Sequence, residues 1–286
     1  MMLACQAILS LNDAMMKWLT DGYSVAQLLG LRATMALPVT IVIALMLGGR
    51  GSLVVHSWRA QAVRAILMVG GQVFFVAGLA FLPLADAVAI GFATPLFITA
   101  LAPLLLSEAV GWRRWAAVAV GFAGVVIIVG PTGGGMQLAA LLPLIGALVS
   151  ALRDLVTRRI SRYESSHAIL VVTTGATAVL CMAVAVFDWR AMAGFDLALL
   201  AVAAVMASIA HLLMIEAFRL AEAALVAPFK YSTMIWSVLL GWLIWGAVPG
   251  TQVWIGAALV VASGLYILHR ERVRRRAFMP PPGAGG

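Results

Sequence analysis

The chain has 286 residues, of which 64% are hydrophobic and only 10% charged, with a formal net charge of +8 and a mean hydropathy of +1.06. A soluble domain carries about 25% charged residues, so a water-soluble globule is excluded. Ten apolar stretches, at about 20 residues per membrane crossing, leave no room for a soluble catalytic domain.

In chain order the stretches fall at 2–20, 25–47, 60–81, 84–106, 112–130, 137–160, 166–187, 195–219, 222–246 and 251–268. All are expected to be helices, because lipid offers backbone groups no partner and only helices or closed barrels satisfy themselves. The period-2 alternation of a barrel strand is absent. Met1 to Leu19 lacks a basic leader and a small-residue cleavage site, and reads as a retained first span. Cys5 and Cys181 lie inside apolar stretches and offer neither a disulfide framework nor zinc spacing.

The gaps alternate in charge. One set holds Arg50, Arg59 and Arg64, then Arg113 and Arg114, then Arg158, Arg159 and Arg162, then Arg219, then Arg270, Arg272, Arg274, Arg275 and Arg276. With Arg153, one turn up span 6, this set has fifteen of the nineteen basic residues; the other has only Lys17 and Arg190. The positive-inside rule puts the first set, and both termini, in the cytoplasm of a multi-pass bacterial inner-membrane protein. The basic residues face lipid headgroups rather than nucleic acid. Residues 269–286 form a cytoplasmic tail, basic and then rich in Pro and Gly.

The sequence also repeats itself. Asp13 precedes Lys17 by four positions, as Asp154 precedes Arg158. Ala85-Asp86-Ala87 resembles Ala221-Glu222-Ala223, and Trp115 in span 5 resembles Trp254 in span 10, each followed by small residues. The offset stays near 136–141. Five spans per copy is an odd number, so the second copy must enter the membrane upside down, the arrangement of secondary transporters with a midplane site. The expected fold is all-α and integral to the membrane: ten transmembrane helices in two inverted repeats, 1–130 and 137–268.

At Asn12-Asp13-Ala14, Lys17, Gln27 and Arg32, at the Ala-rich entries to spans 4 and 9 and at the small-residue spans 5 and 10, the chain resembles the EamA-type ten-helix branch of the drug/metabolite transporter superfamily. Bacterial exporters of aromatic amino acids, threonine and methionine look most similar. The resemblance implies a cavity lined by spans 3, 4, 8 and 9, with contributions from spans 1 and 6. The first span has no arginine before it, so the N-terminal stub reads as short or trimmed.

Ionisable groups at depth tend to face cavities or partners. Asp13 and Arg32 lie at matching depths near the outer face and are expected to pair as a gate or a fixed structural link. Lys230 is expected to pair with Asp154 or Glu216 near the inner face, or to hold a substrate carboxylate. His211 sits mid-span, where it is either a proton relay or a helix–helix hydrogen-bonding group. Pro95, Pro103 and Pro228 interrupt spans 4 and 9 and are candidate hinges. Around them Gln72, Phe75, Thr94, Phe97, Thr99, Met214, Tyr231, Thr233 and Trp236 are candidate lining residues, an apolar wall with a few groups to orient a ligand.

No phosphate loop, His-Glu-x-x-His, Gly-x-Ser-x-Gly or Asp-rich cluster occurs, so no enzyme, ATP drive, cofactor or metal is expected. The expected function is export of small metabolites, foremost amino acids, by alternating access. Both repeats are already fused, so a monomer suffices. Uptake of another metabolite, such as S-adenosylmethionine or a carboxylate, and a non-transporting scaffold remain open alternatives.

Overall fold

A computed structural model describes residues 1–106, 111–130, 135–161, 163–220 and 227–277. These residues form α1 (Met2–Thr20), α2 (Val25–Gly48), α3 (Trp58–Phe81), α4 (Leu84–Gly91), α5 (Thr94–Leu106), α6 (Trp112–Val129), α7 (Gly135–Ile160), α8 (Ser166–Ala185), α9 (Gly194–Leu220), α10 (Ser232–Trp245) and α11 (Thr251–Ala277), with no strands among them. Short 3₁₀ turns span Arg50–Leu53, Val186–Asp188 and Ala227–Tyr231. The tail from 278 onward, Glu222 and Arg162 lie outside the described residues.

The helix starts are written in serine. Ser24, Ser57 and Ser165 each accept a hydrogen bond from the amide three residues on, at Gln27, Ala60 and Ala168, and so cap α2, α3 and α8. Proline explains the interruptions. Span 4 divides into α4 and α5, with the break at Phe92 and Ala93, and Pro95 falls in the first turn of α5 where its missing N–H costs nothing. Pro103 lies inside α5. Pro228 sits in the Ala227–Tyr231 turn, so α10 starts only at Ser232.

Among the described residues, eight helices are long and apolar enough to cross a membrane. The expected spans 2–20 and 222–246 are not among them. α1 carries Gln6, Ser10, Asn12, Asp13 and Lys17, whose polarity lowers its hydropathy; Gln6, Ser10 and Asn12 are buried against protein. The described helix of span 9, α10, has only 14 residues. The outer surface is apolar: Phe187 is 90% exposed, Leu104 79% and Met46 79%. Such a surface suits lipid and not water.

α2 packs along α8, and α6 along α11. α3 lies on α7 as α1 lies on α9; α2 also touches α9 as α3 touches α8. α4 and α5 lean on α7, as α10 leans on α1, and α4 meets α10. The small-residue faces of spans 5 and 10 meet each other. A Cβ on Gly124 would run into the Gly256 carbonyl, and one on Gly256 into Ile128, so only glycine admits this approach. Ser263 Oγ donates to the Ala117 carbonyl across the same seam at 2.5 Å.

Candidate functional site

α2, α3, α8 and α9 line a cavity of about 70 Å³, set in about 520 Å³ of space that includes its open mouth. Arg32 and Thr40 come from α2, Met68 and Gln72 from α3, Thr173, Thr174 and Thr177 from α8, and Ser208 and His211 from α9. The hydroxyls are spent in a particular way. Thr174 donates to Leu170 O (2.9 Å), Thr177 to Thr173 O (2.9 Å) and Ser208 to Ala204 O (3.1 Å). A carbonyl can only accept, so each proton is committed to its own helix and the oxygen lone pairs are left over. His211 Nδ1 lies 2.7 Å from Ala207 O and donates to it by the same argument, which leaves Nε2 as an acceptor in the neutral ring. Gln72 Oε1 is buried with no partner among the described residues.

Arg32 supplies the donors. Its Nη1 donates to Asn12 Oδ1 at 2.8 Å, and Asn12 Nδ2 donates in turn to Ala203 O at 2.7 Å. Asp13 and Arg32 are close enough for their charges to act on each other. The direct partner of Arg32 is nevertheless Asn12, and among the described residues Asp13 and Arg32 form no ion pair. Behind the cavity Arg64 Nε donates to Thr157 Oγ1 at 2.7 Å, and its Nη1 donates to Thr173 Oγ1.

Of the expected lining residues, Gln72 and His211 meet in this cavity. Phe75 packs into the apolar core between α3 and α4. Thr94 and Thr99 bond back to Gly91 O and Pro95 O, and Phe97 lies edge-on to Phe122 with ring centres 4.9 Å apart. Met214 packs with Met2 and Cys5. Tyr231 lies edge-on to Phe92 at 5.1 Å. Thr233 Oγ1 donates to Gln6 Oε1 at 2.7 Å, and Trp236 is half-buried on the same helix. None of these residues lines the four-helix cavity; Phe75 and Met214 belong to α3 and α9, and the rest to α5, the Ala227–Tyr231 turn and α10. Asp154 Oδ1 accepts from Arg153 Nη2 at 2.7 Å and Nε at 2.9 Å. Lys230 is exposed on its turn, close to Cys5. The side chain of Glu216 lies outside the described residues.

Both ends of the cavity are fastened across the chain. At one end Tyr23 Oη donates to Asp196 Oδ2 (2.7 Å) and accepts from Ala193 N (3.2 Å), while Gln27 exchanges two hydrogen bonds with the Arg190 backbone (2.6 and 3.1 Å). At the other end Glu164 Oε1 accepts from His56 N (2.9 Å) and Ser57 N (2.7 Å), Gln61 Nε2 donates to Oε2 (3.2 Å), and Ser165 Oγ donates to Ser52 O. The Glu164 side chain is 0% exposed. Nearby on the first end, Lys17 Nζ donates to Leu79 O and Leu82 O, both at 2.7 Å, and so caps the carbonyl end of α3.

Sequence reasoning overlooked Glu164, Gln61 and the α8 threonines, and named Asn12 in a motif without its bond to Arg32. Thr173 and Thr177 carry a weak signal, being one helical turn apart in an apolar run, as do Gln6 and Ser10 on α1. Glu164 carries none, since a carboxylate in a loop is ordinary.

Three comparisons bear on this arrangement. A crystal structure only 20% identical superposes with a TM-score of 0.66 over 96% of this chain and 97% of that one, which shows the fold alone. The riboflavin transporter of Rhizobium johnstonii is 36% identical over 225 residues, 77% of this chain and 73% of that protein. The S-adenosylmethionine uptake transporter of Rickettsia felis is 28% identical over 210 residues, 73% of this chain and 71% of that protein. The EamA-like transporter family matches residues 1–130 and again 137–268; the chain is a membrane transporter that belongs to the EamA-like transporter family of the drug/metabolite transporter superfamily.

Proposed function

We propose that this transporter takes up a heteroaromatic metabolite of the kind its relatives are named for, riboflavin or S-adenosylmethionine, through the cavity between α2, α3, α8 and α9. The observation that carries this reading is a space ringed by unspent hydrogen-bonding groups at the middle of an apolar bundle, where polar groups are retained for a ligand. Nothing in the relatives' names favours amino-acid export. A scaffold would have no use for such a cavity.

The working cycle we propose is alternating access by two inverted five-helix repeats, 1–130 and 137–268, in ten crossings, with polar α1 and the short turn plus α10 as the two beyond the eight long apolar helices. Two observations support it. The principal helix pairings map onto themselves when each span is exchanged for the one five places on. The two end fastenings are also equivalent in sequence: Tyr23 and Ser24 stand 141 positions before Glu164 and Ser165, and Ser57 stands 136 before Ala193. The arginine bias then sets the Glu164 end and both termini in the cytoplasm. Asp13 with Arg32, and Lys230 with Asp154 or Glu216, remain proposed gate groups, and the breaks at Pro95 and Pro228 proposed hinges, with Pro103 a bend inside α5.

Flux into proteoliposomes tests the reading. Riboflavin, S-adenosylmethionine and a panel of amino acids are offered in turn; saturable uptake of a heteroaromatic supports it. Amino-acid flux without either heteroaromatic overturns it.

A further inference from the structure

We infer that the cavity selects a neutral, hydroxyl-rich ligand, the ribityl flavin rather than the cationic sulfonium nucleoside, and that the residues of α8 and α9 read the hydroxyls. This inference rests on the reading of the cavity as the transport site.

The argument is a count of donors and acceptors. On one wall Thr174, Thr177 and Ser208 have given their protons to their own helices, and His211 has given its Nδ1 proton to Ala207 O. Four acceptors therefore face the space, and a ligand that satisfies them must bring O–H or N–H groups. A ribityl chain brings four hydroxyls. From α2, Arg32 spends one N–H on Asn12 and makes no other hydrogen bond among the described residues, although a guanidinium carries five N–H donors in a planar fork. Gln72, with its partnerless Oε1, lines the same cavity from α3. Fork and amide together match an edge that alternates carbonyl, N–H and carbonyl, as the pyrimidine ring of a flavin does.

Charge decides against the other candidate. Among the described residues no carboxylate lines the cavity; Asp13 lies beyond it, held near Arg32. S-adenosylmethionine brings one carboxylate, which can answer Arg32, but also a sulfonium and an ammonium, and among the described lining residues no anion is left to face them, which costs affinity.

The experiment measures binding to purified protein in lipid nanodiscs by quenching of riboflavin fluorescence. Unlabelled lumichrome, which is the ring without the ribityl chain, and S-adenosylmethionine serve as competitors on the unaltered protein. Lumichrome is expected to compete more weakly than riboflavin, and S-adenosylmethionine not to compete. Thr177→Val and Ser208→Ala are each expected to weaken riboflavin about fivefold, the size of one hydrogen bond, and to leave lumichrome unchanged. Lumichrome equal to riboflavin, or S-adenosylmethionine displacing it, overturns the inference while the flavin reading stands. Absence of any riboflavin binding by the unaltered protein overturns the inference, and the proteoliposome panel then decides whether the heteroaromatic reading of the cavity stands. A variant that does not fold leaves the competition arm, which needs no substitution, to decide.

Discussion

Glu164 is the residue whose loss should be felt most. Its carboxylate is fully enclosed and receives His56 N, Ser57 N and Gln61 Nε2. Glu164→Ala leaves all three donors without an acceptor. Each orphaned buried donor costs about 1–3 kcal/mol, but the carboxylate no longer has to be desolvated, which returns part of the loss. A net cost of about 3 kcal/mol follows, or about 6–12 °C in Tm at about 2–4 °C per kcal/mol for a chain of this size. Glu164→Gln is a sharper probe. One oxygen still accepts from the two backbone amides, while the new amide group meets Gln61 Nε2, donor against donor. Gln61 Oε1 is itself buried and partnerless, so a flip of the Gln61 amide restores the bond. The cost falls to about 1 kcal/mol. Thermal unfolding of the purified protein in nanodiscs reads both variants. An unchanged Tm for Glu164→Ala, or equal damage by Ala and Gln, refutes the reasoning.

Four further outcomes are expected. Tyr23→Phe removes one donor to Asp196 and one acceptor from Ala193 N; it should cost about 1 kcal/mol, less than Glu164→Ala in the same unfolding assay. Gly256→Ala forces a methyl against Gly124 and Ile128 and should destabilise by about 1–3 kcal/mol, read as a fall in Tm. Lys17→Met uncovers the carbonyls of Leu79 and Leu82 at the end of α3 and should cost about 2 kcal/mol, again by Tm. Arg32→Gln removes the charged donor from the cavity and should lower riboflavin uptake at least about tenfold, the equivalent of one charge-assisted hydrogen bond; uptake within the scatter of the unaltered protein refutes its role.

The helices were legible because hydrophobic length is a property of contiguous residues. Ser24, Ser57 and Ser165 mark starts in the sequence that the structure uses as caps. Pro95 and Pro228 mark the breaks, since a missing N–H acts locally. Arg32, Gln72 and His211 stood out because polar groups at depth are costly. What escaped were groups whose chemistry depends on distant chain. Thr174 and Ser208 look like passengers in a helix, because bonding to the carbonyl four residues back hides their protons; only the fold turns their lone pairs toward a common space. Asn12 was passed over for Asp13, its neighbour, because depth can be read from sequence but rotation about the helix axis is finer, about 100° per residue. Glu164 meets residues 108 and 107 positions away, a distance across which one sequence carries no signal.

The two fastenings repeat one design with unequal materials, and the inequality bears on direction. At the Tyr23 end a neutral hydroxyl and the Gln27 amide carry the link, and their partners are a solvent-facing loop around Arg190. At the Glu164 end a buried carboxylate sits on the amide end of α3, where the helix dipole adds to the hydrogen bonds. Opening the first end breaks one bond to the half-buried Asp196 carboxylate and the neutral bonds of Gln27, beside a loop that water already reaches. Opening the second exposes a carboxylate and strands the first-turn amides of a helix until water reaches them. The Tyr23 end is therefore the cheaper one to open in the empty protein. A ligand that enters there and binds both walls must then offset the cost of releasing Glu164, since it can shift the balance only by binding one arrangement better than the other. Under the orientation proposed above, that order of events is uptake.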